Sequence, residues 1–390
     1  MAAGLDDPFA LVDIESTWTE EERSIAHTVR RFTEDHVRPH VADWFEKGTF
    51  PRDLIPELGK LGVLGMHLDG YGCAGTNAVS YGLACQELEA ADSGLRSVVS
   101  VQGSLAMFSI WKYGSEEQKQ EWLPRMAAGD AVGCFGLTEP DSGSDPGSMR
   151  TRARRDGDDW ILSGAKMWIT NSPLADVATV WARTDDGIRG FLVPRGTKGF
   201  ETPEIHHKLS LRASITGEIV LDDVRLPASA QLPLAEGLKA PLSCLSEARF
   251  GIVFGAVGAA RDALAAAMAY AGTREQFGRP IAGFQLTQRK LADMAVDVST
   301  AALLAMHLGR RKDAGTLTPT QVSVGKLNNV RTALQVAREA RSILGGSGIT
   351  TEYSPLRHAN NLESVYTYEG THEVHTLVVG QALTGISAYR

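Results

Sequence analysis

Trp160-Ile161-Leu162 and Met167-Trp168-Ile169 are two short runs of β-forming residues in the middle of the chain, and they mark a change in its pattern. Further runs of the same kind follow, separated by Gly, Asp and Pro turns. They are Val177 to Trp181, Gly190 to Val193 and Ile219 to Leu221. This spacing predicts one small β-sheet or barrel domain, which we assign to residues 132–238.

Helical patterns stand on both sides of this domain. Thr19 with Glu22 and Ser115 with Gln118 have the spacing of capping boxes that open helices, and Asn77 to Ala91 is interpreted as an amphipathic helix. Beyond the strands the helical period returns. It covers Gly251 to Tyr270, Leu286 to Lys312 and Thr318 to Leu344.

The order of elements predicts an α+β fold with an N-terminal helical domain over 1–131 and a C-terminal helical domain over 239–390. Helices and strands that are segregated along the chain argue against Rossmann and TIM architectures, which alternate them. The glycine-rich run 345–348 follows a helix, whereas a dinucleotide fingerprint follows a strand. We therefore interpret it as a helix end followed by a turn.

Composition and charge argue against several kinds of protein. The formal net charge of -8 argues against a nucleic-acid surface. The four cysteines form no C-x-x-C pair, and the acidic start of the chain has no secretory or transit pattern, so we expect a cytoplasmic location. The apolar stretch Phe250 to Ala260 is shorter than the ~20 residues of a membrane span, which predicts a core helix. The histidines lack the spacing of metal ligands, so no metal site is predicted.

Three stretches carry residues suited to chemistry. Phe135 to Asp145 is rich in glycines and hydroxyls, which suits a phosphate or a heterocycle but is also typical of a polar turn between domains. In Lys166 to Ser172, alternation places Trp168 and Thr170 on one strand face, although a strand Trp is commonly core. In Asn361 to Glu373, a glutamate lies in a Tyr-Glu-Gly turn. Its residue type suits a catalytic base, but a solvated loop glutamate is the alternative interpretation.

Together these stretches resemble the acyl-CoA dehydrogenase family through F-G-L-T-E-P-D-S-G-S-D (135–145), W-I-T-N (168–171) and Y-E-G-T (368–371). The resemblance runs from about Thr19 to the C-terminus. It implies helical, β and C-terminal four-helix-bundle domains, FAD as cofactor, an acyl-CoA substrate, electron-transferring flavoprotein as acceptor, and a homotetramer.

The resemblance also implies roles for individual residues. Glu369 would be the catalytic base, with Ser144, Arg249 and Gly370 beside the acyl-CoA. The residues implied to bind FAD are Phe135, Leu137, Thr138, Trp168, Ile169, Thr170, Arg274, Phe277, Gly345, Gly346, Thr371 and Glu373. Arg274 and Phe277 resemble the element that reaches the pyrophosphate of a neighbouring subunit's FAD.

The stretch Glu87 to Ser100 contains residues that concern which acyl group the protein would accept. Read from the sequence alone, Arg96 is a helix-surface residue paired with Glu89. The surroundings, however, resemble the glutaryl-CoA dehydrogenase branch of the family, in which an arginine at this position holds the distal carboxylate of the substrate. Ser100, one helical turn further, would add a hydrogen bond.

In that branch, the implied reaction begins when Glu369 removes the α-proton and a hydride passes to flavin N5. Loss of carbon dioxide then leads to crotonyl-CoA, a step of lysine and tryptophan degradation. The resemblance indicates that Tyr368, Glu89 and Arg96 together mark the decarboxylating enzymes. Two alternatives remain open: a dehydrogenase that does not decarboxylate or acts on another short or carboxylated acyl-CoA, and a non-catalytic flavin-binding member.

Overall fold

The computed structural model describes residues 7–389 and confirms the α+β fold, with helices first, then strands, then helices. Both predicted capping boxes are present, with side chain and backbone bonded reciprocally between Thr19 and Glu22 and between Ser115 and Gln118. The N-terminal helices are α1 Glu20–His36, α2 Val41–Lys47, α3 Leu54–Lys60, α4 Ala78–Ala91, α5 Ser93–Ser100, α6 Phe108–Tyr113 and α7 Glu116–Ala128. A π-helical segment, Val101–Met107, connects α5 to α6.

Helix α4 differs from the sequence prediction. It was predicted to be amphipathic, but every one of its residues is buried. The reason is that helices from both ends of the chain enclose it, so it has no solvent face to carry polar residues. Polar groups on α4 are therefore buried and need partners inside the protein.

The middle strands form one seven-stranded sheet within the described residues. They are β1 Gly133–Gly136, β2 Arg152–Asp156, β3 Asp159–Thr170, β4 Val177–Thr184, β5 Gly187–Pro194, β6 Phe200–Glu201 and β7 Thr216–Pro227. The path runs β1-β4-β2-β3-β7-β6, with β5 paired to β4. The two runs around Trp160 and Trp168 belong to the single strand β3, whose pairing with β7 is irregular between Lys166 and Ile169. This irregularity re-aims the end of β3.

The C-terminal part is helical. Its helices are α8 Lys239–Thr273, α9 Gln285–Asp313, α10 Pro319–Ile343, α11 Ser354–Thr367 and α12 His372–Thr384, with a hairpin of β8 Glu275–Gln276 and β9 Arg279–Pro280. Helices α8 to α11 pack together as the predicted bundle, and α12 packs on α10. The glycine-rich run forms the predicted turn, Gly345–Ile349, after α10. One core cluster joins these helices to the N-terminal ones.

Helices α8 and α9 are long and apolar enough to cross a membrane by length and composition, with mean hydropathies of 1.5 and 1.4. The sequence argument considered only the apolar stretch Phe250 to Ala260, whereas the helix that contains it has 35 residues. In each helix the most apolar segment of 18 residues is partly buried within the protein. The buried share of that segment is 72% in α8 and 44% in α9. The core position of Phe250 to Ala260 is nevertheless confirmed, and burial explains the apolar composition of α8.

Candidate active site

Glu369 lies in the short connection between α11 and α12. Tyr368 ends α11, and Thr371 caps α12 by accepting a hydrogen bond from its first turn. Between them, Glu369 has φ 53° and Gly370 has φ 95°. A left-handed conformation costs a residue with a side chain roughly 1–2 kcal/mol, so the surroundings must hold Glu369 in place.

Two cationic side chains, of which Arg249 is half-buried and Lys326 is buried, hold the backbone of this turn. Arg249 Nε on α8 donates to the Glu369 carbonyl at 2.6 Å. Lys326 Nζ on α10 donates to the Tyr368 carbonyl and, at 2.6 Å, to the Gly370 carbonyl. Three consecutive carbonyl groups are thus bound by side chains from the helical bundle. Arg249, predicted beside the acyl-CoA, contacts the backbone of the predicted base, Glu369.

His375 on α12 completes this arrangement. Its Nε2 lies 3.3 Å from the Glu369 carbonyl, and its Nδ1 lies 3.0 Å from Ser323 Oγ. Burial, with the nearby Lys326, lowers the pKa of His375 to about 3, so the ring is neutral near pH 7. The contact with a carbonyl requires the proton on Nε2. Sequence reasoning treated His375 as an ordinary histidine and missed Lys326, because a lysine within a helical pattern carries no motif.

The Glu369 carboxyl is suited to accept a proton. Its Oε2 is buried and has no hydrogen-bond partner among residues 7–389. Burial raises the pKa of Glu369, although Arg96, Lys326 and Arg249 act in the opposite direction. Burial also lowers the pKa of Lys326 to about 7. A carboxylate with a raised pKa is a stronger base towards a weak carbon acid.

Arg96 forms a second buried cluster next to this turn. Its Nε donates to Glu89 Oε2 at 2.6 Å, its Nη1 to Ser100 Oγ at 3.4 Å, and its Nη2 to the Tyr368 hydroxyl. Arg96 and Glu89 are both 0% exposed. Burial acts to lower the pKa of Arg96, but Glu89 and Tyr368 raise it well above its ordinary value. The predicted partner is therefore right, but the surface position was wrong.

Tyr368 connects the Arg96 cluster to Glu369. Its ring centroid lies 5.8 Å from Arg96 Cζ and 5.7 Å from Lys326 Nζ. It directly precedes Glu369 in the chain. The structure thus brings together Glu369, Arg249, Gly370, Tyr368, Arg96, Glu89 and Ser100 from the predicted site.

The hydroxyl-rich loop after β1 is organised by a buried ion pair that sequence reasoning missed. Glu139 accepts from Lys166 Nζ at 2.8 Å and from the Thr151 backbone at 2.9 Å. Of the predicted cofactor residues here, Phe135 and Leu137 are packed in the core, and Thr138 is half-buried.

The end of β3 joins this loop, because the Met167 N–H donates to the Thr138 carbonyl at 2.9 Å. Trp168 has φ 62° and an indole that is 57% exposed, and Thr170 is half-buried. The irregular pairing between Lys166 and Ile169 interrupts the strand alternation from which a shared face was predicted, so that face stays a prediction. Ile169 points the other way into the sheet core with 3% exposure, so its side chain does not line this surface. An exposed indole beside hydroxyl groups fits one side of a heteroaromatic ring.

The remaining predicted cofactor residues lie elsewhere. Arg274 and Phe277, in the hairpin after α8, are exposed, with Phe277 at 94%. Gly345 and Gly346 are exposed, and a side chain added at either would meet nothing within 4 Å. Their predicted role towards a neighbouring subunit's FAD stays a prediction.

Three other residues have positions that are simple to state. The Thr371 hydroxyl accepts from the Val374 N–H at 3.2 Å as the cap of α12, and Glu373 is exposed in the first turn of that helix. Ser144 is an exposed residue of the loop after β1. Their predicted contacts with FAD or acyl-CoA stay predictions.

Family models cover most of the chain. The N-terminal domain of acyl-CoA dehydrogenases matches residues 19–130, the middle domain matches residues 134–224, and the C-terminal domain matches residues 235–384.

Individual relatives agree with these models. A crystal structure of a glutaryl-CoA dehydrogenase from Mycobacterium smegmatis, in complex with FADH2, is 69% identical, covers 98% of this chain and 100% of its own, and has a TM-score of 0.98. The human mitochondrial short-chain specific acyl-CoA dehydrogenase is 36% identical over 95% of this chain and 91% of its own. Butyryl-CoA dehydrogenase from Megasphaera elsdenii is 34% identical, covers 94% of this chain and 98% of its own, and has a TM-score of 0.90. Since family models match all three of its domains and relatives of 34–69% identity cover nearly its whole length, the chain belongs to the acyl-CoA dehydrogenase family of oxidoreductases.

Proposed function

We propose that this enzyme oxidises glutaryl-CoA with FAD and decarboxylates it to crotonyl-CoA. The observation that carries the proposal is the fully buried Arg96, held by Glu89, Ser100 and Tyr368. A buried guanidinium in an acyl pocket would be left facing hydrocarbon by a fatty acyl chain, which is costly. A substrate with a distal carboxylate would instead pair with the guanidinium, and the buried charge would then favour binding.

The charges around the site support an anionic acyl group. Arg96, Arg249 and Lys326 all act electrostatically on Glu369, and Glu89 is the other carboxylate of the group. With Lys326 protonated, three cations therefore face two carboxylates. A third carboxylate, supplied by the substrate, would balance the cluster.

The geometry of Arg96 also suits a carboxylate. A guanidinium has five N–H donors, and Nε, Nη1 and Nη2 each use one of them on Glu89, Ser100 and Tyr368. Among the described residues, each terminal nitrogen keeps one further hydrogen. Two such donors allow bidentate binding of a carboxylate.

The cofactor in this proposal is FAD, held by the exposed Trp168 face, with Thr138 and Thr170 beside it. When bound, FAD supplies an acceptor for the β-hydrogen of the substrate, which leaves as hydride. Electron-transferring flavoprotein as the next acceptor, a homotetramer and a cytoplasmic location belong to the same proposal.

The chain's own residues would carry the proton steps. The Glu369 carboxylate removes the α-proton, which yields glutaconyl-CoA once the β-hydride has left. The bond between the γ-carbon and the distal carboxylate then breaks, and carbon dioxide departs while its electron pair enters a delocalised dienolate. Glu369, now protonated, returns its proton to the γ-carbon and gives crotonyl-CoA. In this proposal Tyr368 and Arg96 hold the distal carboxylate until it is lost.

Product analysis tests the proposal. Purified protein loaded with FAD is mixed anaerobically with glutaryl-CoA, the flavin absorbance is followed, and the products are identified by mass. We expect bleaching, with one crotonyl-CoA and one carbon dioxide formed per reduced flavin. Glutaconyl-CoA as the end product would contradict decarboxylation.

One other substrate class is favoured by a specific observation. The human short-chain enzyme and the Megasphaera butyryl-CoA enzyme are both about one-third identical to this chain. Butyryl-CoA is therefore the alternative substrate, and each assay compares it with glutaryl-CoA. Faster bleaching by butyryl-CoA than by glutaryl-CoA would favour it over the main proposal.

A lysine that the sequence did not reveal provides a further prediction. Replacing Lys326 with methionine removes the donor to the carbonyls of Tyr368 and Gly370 on either side of Glu369. Hydrogen bonds of a charged donor stabilise by about 1.5–3 kcal/mol each, so we expect kcat to fall roughly 10- to 100-fold with little change in KM. Steady-state kinetics and flavin content measure this. Lys60→Met, at a side chain that is 72% exposed, is the control. A lower Tm with normal kcat would assign Lys326 to stability alone.

A further inference from the structure

Three glycines on one side of α8 face α4, and they differ in what a side chain would meet. At Gly255, an added Cβ would lie 2.0 Å from Glu89 Oε2 and 3.3 Å from Arg96 Nε. Real Cβ atoms do not approach other atoms within 3.0 Å. The Glu89 carboxylate therefore occupies the space that any other residue at 255 would fill.

At the two neighbouring glycines, a side chain would meet different atoms. An added Cβ at Gly258 would lie 1.9 Å from the Gln86 carbonyl oxygen, which is backbone and cannot move aside. An added Cβ at Gly251 would lie 2.9 Å from the Tyr81 hydroxyl. Gly258 thus sets the close approach of the two helices, whereas the atom that blocks position 255 belongs to the carboxylate bound to Arg96.

Displacing that carboxylate would also displace Arg96. Glu89 Oε2 accepts from Arg96 Nε at 2.6 Å, and both side chains are buried. Glu89 Oε1 is buried without a partner among the described residues, so the bond from Arg96 to Oε2 is the one that holds the carboxylate there, and moving Oε2 breaks it. A methyl group at 255 would push Glu89 and turn the guanidinium away from Ser100 and Tyr368.

We propose that Gly255 is a specificity-determining residue of this enzyme: its missing side chain lets Glu89 orient Arg96 to receive a distal carboxylate of the acyl group. The proposal rests on the proposed function, because it names the residue that makes the carboxylate site possible. Gly255 acts through Glu89 and Arg96 and touches neither substrate nor cofactor.

The first test compares three substitutions in the same helix. Gly255→Ala should lower kcat/KM for glutaryl-CoA roughly 100-fold, mainly through KM, and lower that for butyryl-CoA less than about fivefold, with normal flavin content. Gly258→Ala should lower the Tm and affect both substrates alike. Gly272→Ala, where a side chain would meet nothing within 4 Å, should match the wild type. Equal losses for both substrates in Gly255→Ala, or no loss, would overturn the proposal.

The second test does not depend on the substrate. Glu89→Ala with Arg96→Met removes both charges and leaves none unpaired. Gly255→Ala should lower the Tm of the wild type but leave the Tm of this double variant unchanged or higher, because the blocking carboxylate is gone. An equal fall in Tm in both backgrounds would show that Gly255 serves helix packing only. If this coupling is found but wild-type enzyme does not turn over glutaryl-CoA, the proposed function fails while the steric role of Gly255 stands.

Discussion

Replacing Glu369 with glutamine should abolish bleaching of the bound flavin by any acyl-CoA substrate, with a fall in turnover of roughly 10²- to 10⁴-fold. Glutamine keeps the shape of the side chain but cannot take up the α-proton. The turn itself should persist, since Arg249, Lys326 and His375 hold carbonyl groups that the substitution leaves in place. Anaerobic stopped-flow absorbance measures the effect.

A matched control comes from the helix just before the base. Glu363 in α11 is 53% exposed at its side chain and pairs with Arg338, so Glu363→Gln should bleach at the wild-type rate. Flavin content is measured for both variants, because loss of flavin would imitate loss of the base. Normal bleaching by Glu369→Gln with full flavin content would assign the base to another residue.

Removing the buried ion pair of the acyl pocket should change the substrate preference. In Arg96→Met combined with Glu89→Gln, no charge is left buried without its partner. The distal carboxylate of glutaryl-CoA then loses two charge-assisted hydrogen bonds, so we expect its kcat/KM to fall roughly 100-fold or more. Butyryl-CoA, which has no such carboxylate, should lose much less. Steady-state kinetics with both substrates measures the difference.

The control for this variant is another buried ion pair that also uses a glutamate of α4. Glu87 on α4 binds Arg261 on α8 through two hydrogen bonds, of which that from Nη1 is 2.8 Å. Glu87→Gln with Arg261→Met should alter Tm without altering the ratio of the two substrates. If the Arg96 variant lost kcat/KM equally for both substrates, that arginine would have a purely structural role.

How far the sequence predicted the site depends on how the information is distributed along the chain. Glu369 was found because its neighbours form a contiguous motif, and the two capping boxes were found because they depend on residues three apart. A shared face of Trp168 and Thr170 was predicted from strand alternation. The left-handed backbone of Trp168 was not, because it depends on the irregular pairing of β3 with β7.

Errors arose where burial reversed a local expectation. Helix α4 was predicted to be amphipathic, and the pair of Glu89 with Arg96 was placed on a surface, because isolated helices keep their polar residues in water. In the structure α4 is enclosed, and Asp92 ends it, so Glu89 and Arg96 lie in successive helices. The polar residues that look like a solvent face are a buried charged cluster.

By itself, the sequence determined the order of helices and strands, the family, and Glu369 as the candidate base, because periodicity and contiguous motifs carry that information. Only the tertiary structure decided that Arg96 is buried, that Lys326 holds the turn of Glu369, and that Gly255 leaves the space for Glu89. These features join helices far apart in the chain. A lysine in a helix and a glycine among other small residues have no local pattern, and their roles follow from the neighbours that folding places beside them.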